Sequence, residues 1–152
     1  MKSRPAKKEK DLEFLVSLRN EPGVAIHSNR GVVPSEILET DYFYTSTNSV
    51  YIVEEEDAKI GYVICHDRTA DAKGRFYISV ALIPTMRGRG YGPAMMKEAV
   101  NRCWEHGATE VYTDDVHANN QRSIRSMEKM GYEVLDRSGP RWKMIYRKKD
   151  ER

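Results

Sequence analysis

The residues best suited to chemistry form one segment, Val80 to Gly92, in which apolar strand-forming residues lead into a loop with three glycines and two arginines. Glycine lets the backbone adopt positive φ and leaves room for a ligand to approach the main chain. A helical pattern follows, and the first turn of a helix presents unpaired N–H groups and the positive end of its dipole. The segment therefore predicts a site for a phosphate-bearing ligand such as a pyrophosphate.

The spacing of this loop excludes two common phosphate-binding motifs. The P-loop string Gly-x-x-x-x-Gly-Lys-Ser/Thr does not occur in the chain. The dinucleotide pattern Gly-x-Gly-x-x-Gly fails because Pro93 stands where a third glycine would follow Gly88 and Gly90. The string that fits is Arg-x-x-Gly-x-Gly, at Arg87, Gly90 and Gly92. This string resembles the acyl-CoA-binding motif of the GNAT acetyltransferase superfamily.

A second segment strengthens the resemblance. Asp115 to Tyr132 is similar to a later GNAT motif, in which a strand ends in an acidic residue and a valine, and an asparagine opens a helix. The residues that match in register are Asn120, Ser123, Ile124, Glu128, Lys129, Gly131 and Tyr132. The two motifs occur in the family's order and separation. The chain is thus identified as a GNAT member, which implies acetyl transfer from acetyl-CoA to a primary amine by direct attack.

The resemblance also implies which residues bind acetyl-CoA. Attack on the thioester builds negative charge on its carbonyl oxygen, and the backbone N–H of Leu82 is the implied donor to that charge. Val80 and Ala81 would hold the pantetheine arm through their main chain, and Asn120 and Ser123 would also contact the cofactor. Asn120 has a structural alternative, since asparagine is a favoured helix N-cap. The implied pyrophosphate site comprises Arg87, Gly88, Arg89, Gly90, Tyr91 and Gly92.

The sequence identifies the residues for proton transfer less completely than those for binding acetyl-CoA. An alkyl amine with a pKa near about 10 is protonated at neutral pH, so a base must deprotonate it. Asp115 occupies an acidic position that carries a glutamate base in some protein-acetylating relatives, and we predict it to be the catalytic base. Asp114 is a second candidate, and capping of a strand end or loop is the alternative role for both.

The general acid of many relatives is missing. Met127 replaces the tyrosine that protonates the leaving thiolate, and a thioether donates no proton. Ser126, water or a tyrosine from another element would supply the proton, or efficient catalysis has been lost. The thiolate can also leave without being protonated by an acid, since the pKa of the thiol is about 8.5.

The sequence leaves the acceptor open. In this superfamily the first two helices and their connecting loop form one wall of the acceptor site. The expected acceptors are a small-molecule amine, an amino sugar or a protein N-terminus, with O-acetylation also open. The competing class is a binding module, either an acyl-CoA sensor or a degenerate acetyltransferase that binds RNA or protein through its basic termini.

Composition and charge limit the broad class of protein to which the chain can belong. The 152 residues with net charge +2 fit one domain, 1–152, and give little reason to expect nucleic acid binding. No apolar run approaches the roughly 20 residues of a membrane span, and no secretory signal is evident.

Cys65 and Cys103 predict reduced core thiols, so we expect a cytoplasmic protein. No metal is expected, because no histidine or cysteine pair has metal-site spacing. A homodimer through exposed final strands remains open.

Hydrophobic periodicity predicts alternating elements along the chain. Strands are expected over 2–6, 50–53, 60–65, 76–84, 110–116, 132–135 and 142–146. Helices are expected from about Leu12 to Pro22, over 34–44, from Pro93 to before Gly107, and over 120–130. We therefore predict an α+β, GNAT-type acyl-CoA N-acyltransferase fold. Its central sheet would be mixed but mostly antiparallel, with six to seven strands flanked by about four helices.

Overall fold

The computed structural model describes residues 1–25 and 30–148, apart from the side chains of Asp114, Asp115 and His117. The strands are β1 (Lys2–Pro5), β2 (Asn48–Glu55), β3 (Ala58–Asp67), β4 (Arg75–Leu82), β5 (Glu110–His117), β6 (Glu133–Asp136) and β7 (Arg141–Arg147). The α-helices are α1 (Lys8–Arg19), α2 (Pro22–Ala25), α3 (Ser35–Phe43), α4 (Tyr91–Glu105) and α5 (Gln121–Met130). In this part of the chain, no helix has the length and apolar character needed to cross a membrane.

The described strands form one sheet of seven in the order β1-β2-β3-β4-β5-β7-β6. Only β4 and β5 pair in parallel, and the other neighbours are antiparallel. The predicted mixed, mostly antiparallel α+β sheet is therefore confirmed. Strands β2 and β3, which correspond to the strands predicted over 50–53 and 60–65, form a hairpin whose acidic turn places Glu56 and Asp57 at φ values of 51° and 66°. Positive φ at both central positions suits the right-handed twist of a two-residue hairpin.

Each face of the sheet has its own apolar core. Alternation of side chains along the strands places successive residues in different cores, so that Val63 lies in one and Tyr62 and Ile64 lie in the other. The α4–α5 core includes Phe76, Met95, Ala99, Val100, Cys103, Val111, Ile124, Met127 and Met144. The α1–α3 core includes Leu15, Leu18, Leu38, Tyr42, Val50, Ile52, Tyr62, Ile64 and Ala81. Cys65 and Cys103 are buried free thiols, as the sequence predicts.

One helix boundary differs from the prediction. Helix α4 begins at Tyr91, so Pro93 is its third residue rather than its first. The first four N–H groups of an α-helix have no intrahelical acceptor. A proline, which has no N–H, is therefore tolerated at the third position as well as at the first. Gly90 is the N-cap, and the glycine loop leads directly into the helix.

A buried carboxylate joins the first elements to the sheet. The side chain of Asp11, in α1, is fully buried. It accepts hydrogen bonds from both terminal nitrogens of Arg4, at 2.8 and 2.9 Å, and pairs with Lys59 Nζ at 2.9 Å. Burial alone would raise the pKa of Asp11. The hydrogen bonds from Arg4, the Lys7 N–H and Lys59 outweigh burial and hold the pKa well below its usual range.

Asp11→Asn should therefore lower the free energy of unfolding by about 3 kcal/mol or more, because Arg4 and Lys59 lose their buried counter-charge. Since the folded-state pKa is depressed, this stabilisation is present above the unfolded pKa of about 3.9 and is lost as pH falls towards the folded value. Urea denaturation at pH 7 and across the acid range measures both effects. The control is Glu133→Gln, which removes an exposed partner of Arg147 and should change stability by less than about 1 kcal/mol. Equal effects for the two variants would contradict this assignment.

Candidate functional site

The sheet opens between its two parallel strands. Arg75, Phe76 and Tyr77 of β4 pair with Glu110, Val111 and Tyr112 of β5, and the pairing ends there. From residue 78 to 82, β3 is the only one of the described strands that pairs with β4. The backbone of this second half of β4 therefore has one side that is not covered by a neighbouring strand.

The hydrogen-bond register shows which groups face the opening. Ile83 lies opposite Ile60 and donates its N–H to the Ile60 carbonyl at 2.8 Å. In an antiparallel ladder, pairs that exchange such bonds alternate with pairs whose backbone groups point away. The N–H groups of Leu82 and Val80 therefore point towards the opening. The orientation of the Leu82 carbonyl agrees, because it accepts from Arg87 Nε at 3.2 Å rather than from β3.

A cleft adjoins this free backbone edge. It has a volume of about 360 Å³ and is lined by Gly23, Val24, Val80, Ala81, Leu82 and Arg87. The predicted main-chain residues Val80, Ala81 and Leu82 are thus brought together with the α2 segment. The side chain of Ala81 lies buried in the α1–α3 core, and by the same register its N–H and carbonyl groups pair with Tyr62 of β3 rather than facing the cleft.

Strand β5 diverges from β4 at a bulge. Thr113 lies opposite Met144 and Val116 lies opposite Trp142, so that Asp114 and Asp115 together oppose a single residue. The extra residue reverses the alternation of faces, which explains why Val111 and Val116 both pack on the α4–α5 core. The predicted base Asp115 thus has its backbone at this bulge, next to the opening. Its side chain, like that of Asp114, lies outside the described residues.

The glycines of the loop have two different explanations. Gly88 and Gly90 adopt φ values of 75° and 85°, which disfavour residues with a β-carbon. Gly92 has no positive φ, and a β-carbon built there meets no atom within 4 Å. Neither backbone conformation nor packing within the protein accounts for a glycine at position 92. A ligand that approaches the start of α4 would account for it.

Arg87 connects the glycine loop to the other side of the cleft. Its Nη2 pairs with Glu21 Oε2 at 2.8 Å, at the corner between α1 and α2. The hydrogen bond from Arg87, followed by those from the Gly23 and Val24 N–H groups, lowers the pKa of Glu21. A β-carbon at Gly23 would lie 2.7 Å from Arg87 Nη1, so this glycine leaves room for the guanidinium. The sequence predicts Arg87 as a pyrophosphate ligand but gives no indication of this ion pair. Arg89 is exposed beside it.

The second motif lies on α5. Asn120 Oδ1 accepts from the Ser123 N–H at 3.2 Å, which confirms the predicted N-cap. Contact of Asn120 and Ser123 with a cofactor remains a prediction. Met127 is only 5% exposed and packs in the α4–α5 core. The position that carries a tyrosine in many relatives is therefore closed to the cleft by packing.

A polar network on the opposite face of the sheet was not expected from the sequence. His66 of β3 contacts Asn48 Oδ1 through Nδ1 and Ser79 Oγ through Nε2, each at 2.8 Å. The three residues come from β2, β3 and β4, and each is unremarkable in its own segment. Only strand register brings them together, so no motif could have revealed them.

Comparison with known proteins bears on the whole arrangement. The model of the acetyltransferase (GNAT) family matches residues 14–132. The chain belongs to the GNAT family. This confirms the resemblance of the glycine loop and the α5 segment, both of which lie within the matched range.

Solved structures agree on the fold of this GNAT chain. Ribosomal-protein-alanine N-acetyltransferase from Brucella melitensis is 20% identical with a TM-score of 0.77, covering 97% of this chain and 99% of its own. The yncA protein from Salmonella typhimurium, solved with its cofactor acetyl-CoA, is 18% identical with a TM-score of 0.79, covering 100% and 96%. Spermidine N-acetyltransferase from Vibrio cholerae, in complex with CoA and spermine, is 15% identical with a TM-score of 0.79, covering 96% and 94%. No curated protein sequence matches the chain.

The glycine geometry makes a stability prediction. Gly90→Ala should destabilise the protein by roughly 1–2 kcal/mol, because the residue must keep its left-handed conformation. Gly92→Ala should leave stability unchanged or raise it by about 0.4–1 kcal/mol, because alanine restricts the unfolded chain and meets no obstruction. Urea denaturation of the two variants without ligand measures both values. A marked loss of stability in Gly92→Ala would mean that Gly92 is a structural glycine.

Proposed function

We propose that this GNAT protein is an N-acetyltransferase that transfers an acetyl group from acetyl-CoA to a primary amine. The observation that carries the proposal is the free backbone edge of β4, which continues directly into the open glycine loop. The edge offers N–H donors at Val80 and Leu82 in the interior of the sheet, where none of the described strands pairs with them. The loop offers further N–H donors at the start of α4, together with Arg87 and Arg89.

The residues present fit the cosubstrate. Acetyl-CoA would supply the acetyl group as a thioester. The Leu82 N–H, which points towards the opening, would donate to the negative charge that develops on the thioester carbonyl oxygen. Val80 would hold an extended arm along the same edge through its main chain. Ala81, whose N–H and carbonyl groups pair with β3, would contact that arm without a hydrogen bond to it. Backbone N–H groups from Gly88 to Gly92 suit a pyrophosphate, since a helix N-terminus favours an anion.

The base in this proposal is Asp115. Its backbone lies at the β5 bulge on the other side of the opening, and bulges commonly adjust side-chain direction near active sites. Asp115 would take the first proton from the acceptor ammonium, directly or through water. No general acid is required at Met127 if the thiolate leaves unaided, as its pKa near about 8.5 permits.

The acceptor is proposed only as a class. The similar structures include one named for ribosomal-protein alanine and one bound to spermine, so the fold accommodates different amines. The proposed acceptors are a small-molecule amine, an amino sugar or a protein N-terminus. The α1–α2 corner, with Glu21, would form part of the acceptor wall beside the cleft.

Binding of acetyl-CoA is the first test. At 100 times its dissociation constant, a ligand stabilises the folded state by about 2.7 kcal/mol. For a domain of this size, the thermal midpoint should rise on the order of 5–10 °C. Gly92→Ala should lose this rise at the same concentration, because its β-carbon occupies space that the proposal assigns to the pyrophosphate. The matched control is Gly139→Ala, at an open turn far along the chain, which should keep the full rise.

No rise for the wild type at millimolar acetyl-CoA would contradict the proposal. A rise without turnover would favour the acyl-CoA sensor, so the same protein is assayed for thiol release with peptide N-termini, polyamines and amino sugars.

Asp115→Asn tests the base. The variant should keep the acetyl-CoA affinity of the wild type while its turnover at neutral pH falls at least tenfold, because the acceptor stays protonated. Turnover should recover at higher pH, where the free amine forms without a base. Thiol release measured from pH 6 to 10 gives both values. Wild-type turnover at neutral pH would exclude Asp115 from the mechanism.

A further inference from the structure

The hydrogen bonds around His66 have a defined direction. Asn48 donates from Nδ2 to the Asp41 carbonyl at 2.8 Å, which makes its Oδ1 the acceptor for His66 Nδ1. Nδ1 therefore carries the proton in the neutral imidazole, and Nε2 is left as an acceptor. The Ser79 hydroxyl, 2.8 Å from Nε2, must then donate to it. This is the arrangement of a hydroxyl backed by a general base and an orienting amide.

The hydroxyl lies at the edge of the site. Ser79 directly precedes Val80 on β4, beyond the point where β5 separates, and is partly exposed. It lies on the same face as the cleft-lining residue Ala81, roughly 7 Å along the strand. Ser79 therefore adjoins the cleft-lining residue Val80 in the chain, although it is not itself part of the lining. His66 lies behind it, towards β2, and does not line the cleft.

The surroundings keep the imidazole neutral. Burial is the main cause, and repulsion from Arg68 adds to it; attraction from Asp41 opposes both, and the pKa of His66 falls to about 4. His66 is therefore neutral at pH 7, which leaves Nε2 as the acceptor for the Ser79 hydroxyl.

We propose that Ser79, backed by His66 and Asn48, forms a proton relay between the acceptor nitrogen and the leaving sulfur. The inference rests on the proposed acetyl transfer and adds a second proton path to it. Asp115 removes the first proton of the ammonium. As the N–C bond forms, Ser79 Oγ takes the second proton from nitrogen while its own proton passes to His66 Nε2. As the C–S bond breaks, Ser79 Oγ gives its proton to the thiolate and recovers one from His66 Nε2, and Asp115 releases the first proton to water, so that every group returns to its starting state.

The relay supplies what Met127 lacks. The tyrosine of many relatives is replaced on α5 by a buried thioether in the α4–α5 core, which donates nothing. Ser79 offers a hydroxyl on the opposite face of β4. It would meet the reacting atoms itself, whereas His66 and Asn48 act through it as positioning residues.

The test compares Ser79→Ala with Ser79→Thr and His66→Gln. In Ser79→Ala, kcat should fall roughly 10- to 100-fold while the dissociation constant of acetyl-CoA stays within twofold. Ser79→Thr keeps a hydroxyl and should recover most of the activity. In His66→Gln, the glutamine can still hydrogen-bond to the Ser79 hydroxyl but cannot take up and release a proton. Its kcat should therefore fall as far as that of Ser79→Ala. The control is Ser49→Ala, on β2 next to Asn48, which should resemble the wild type.

The outcomes separate the relay from the proposed function. If the wild type neither binds nor turns over acetyl-CoA, both fail together. If the wild type is active and Ser79→Ala is equally active, the relay alone is overturned. A loss in Ser79→Ala that is confined to the thermal midpoint or the acceptor KM, with kcat unchanged, also overturns it. If His66→Gln does not fold, the contrast between alanine and threonine at position 79 decides.

Discussion

The separation of β4 from β5 is the constraint on which the site depends. Backbone N–H groups inside a sheet are almost always paired, because an unpaired buried donor costs about as much as a lost hydrogen bond. Here the parallel pairing ends at Tyr77 and Tyr112, while β5 stays paired with β7 through a bulge. The N–H groups of Val80 and Leu82 are left facing a cleft instead of a strand. An extended ligand that accepts from them would complete the sheet.

The rest of the fold holds the two halves of the sheet apart at that point. On one side, β1 to β4 form a continuous antiparallel set, and the Arg4–Asp11–Lys59 cluster fixes α1 to it. On the other side, β7 pairs with both β5 and β6. Helix α4 packs on β3 and β4 and carries the glycine loop at its start, so the same packed elements position the loop and the free edge. The Glu21–Arg87 pair is the contact that crosses the cleft.

Local signals in the sequence predicted much of this. The glycine loop and the Asn120 cap each depend on residues close together in the chain, and the structure contains both. The start of α4 was placed two residues late, because proline is tolerated anywhere in the first turn. The β5 bulge was not predicted, since one extra residue in a strand leaves no mark on its composition.

Features that depend on register were also beyond the sequence. The Asp11 cluster joins α1 to β1 and β3, and the Ser79–His66–Asn48 network joins β4, β3 and β2. Each residue alone has an ordinary explanation as a surface charge or a strand polar group. The contacts among these residues become evident only when strand pairing shows which strands are neighbours and which side chains share a face.

The two faces of β4 differ in polarity. Phe76, Ile78, Val80 and Leu82 turn towards the α4–α5 core, where Met127 completes an apolar surface. A hydroxyl placed there would need a partner or lose stability through burial. The other face already contains a polar network whose hydrogen bonds are satisfied and whose outer member, Ser79, is partly exposed. Proton transfer through that network would leave the apolar core intact, and it would place the donor on the face where Glu21 and the α2 segment border the cleft.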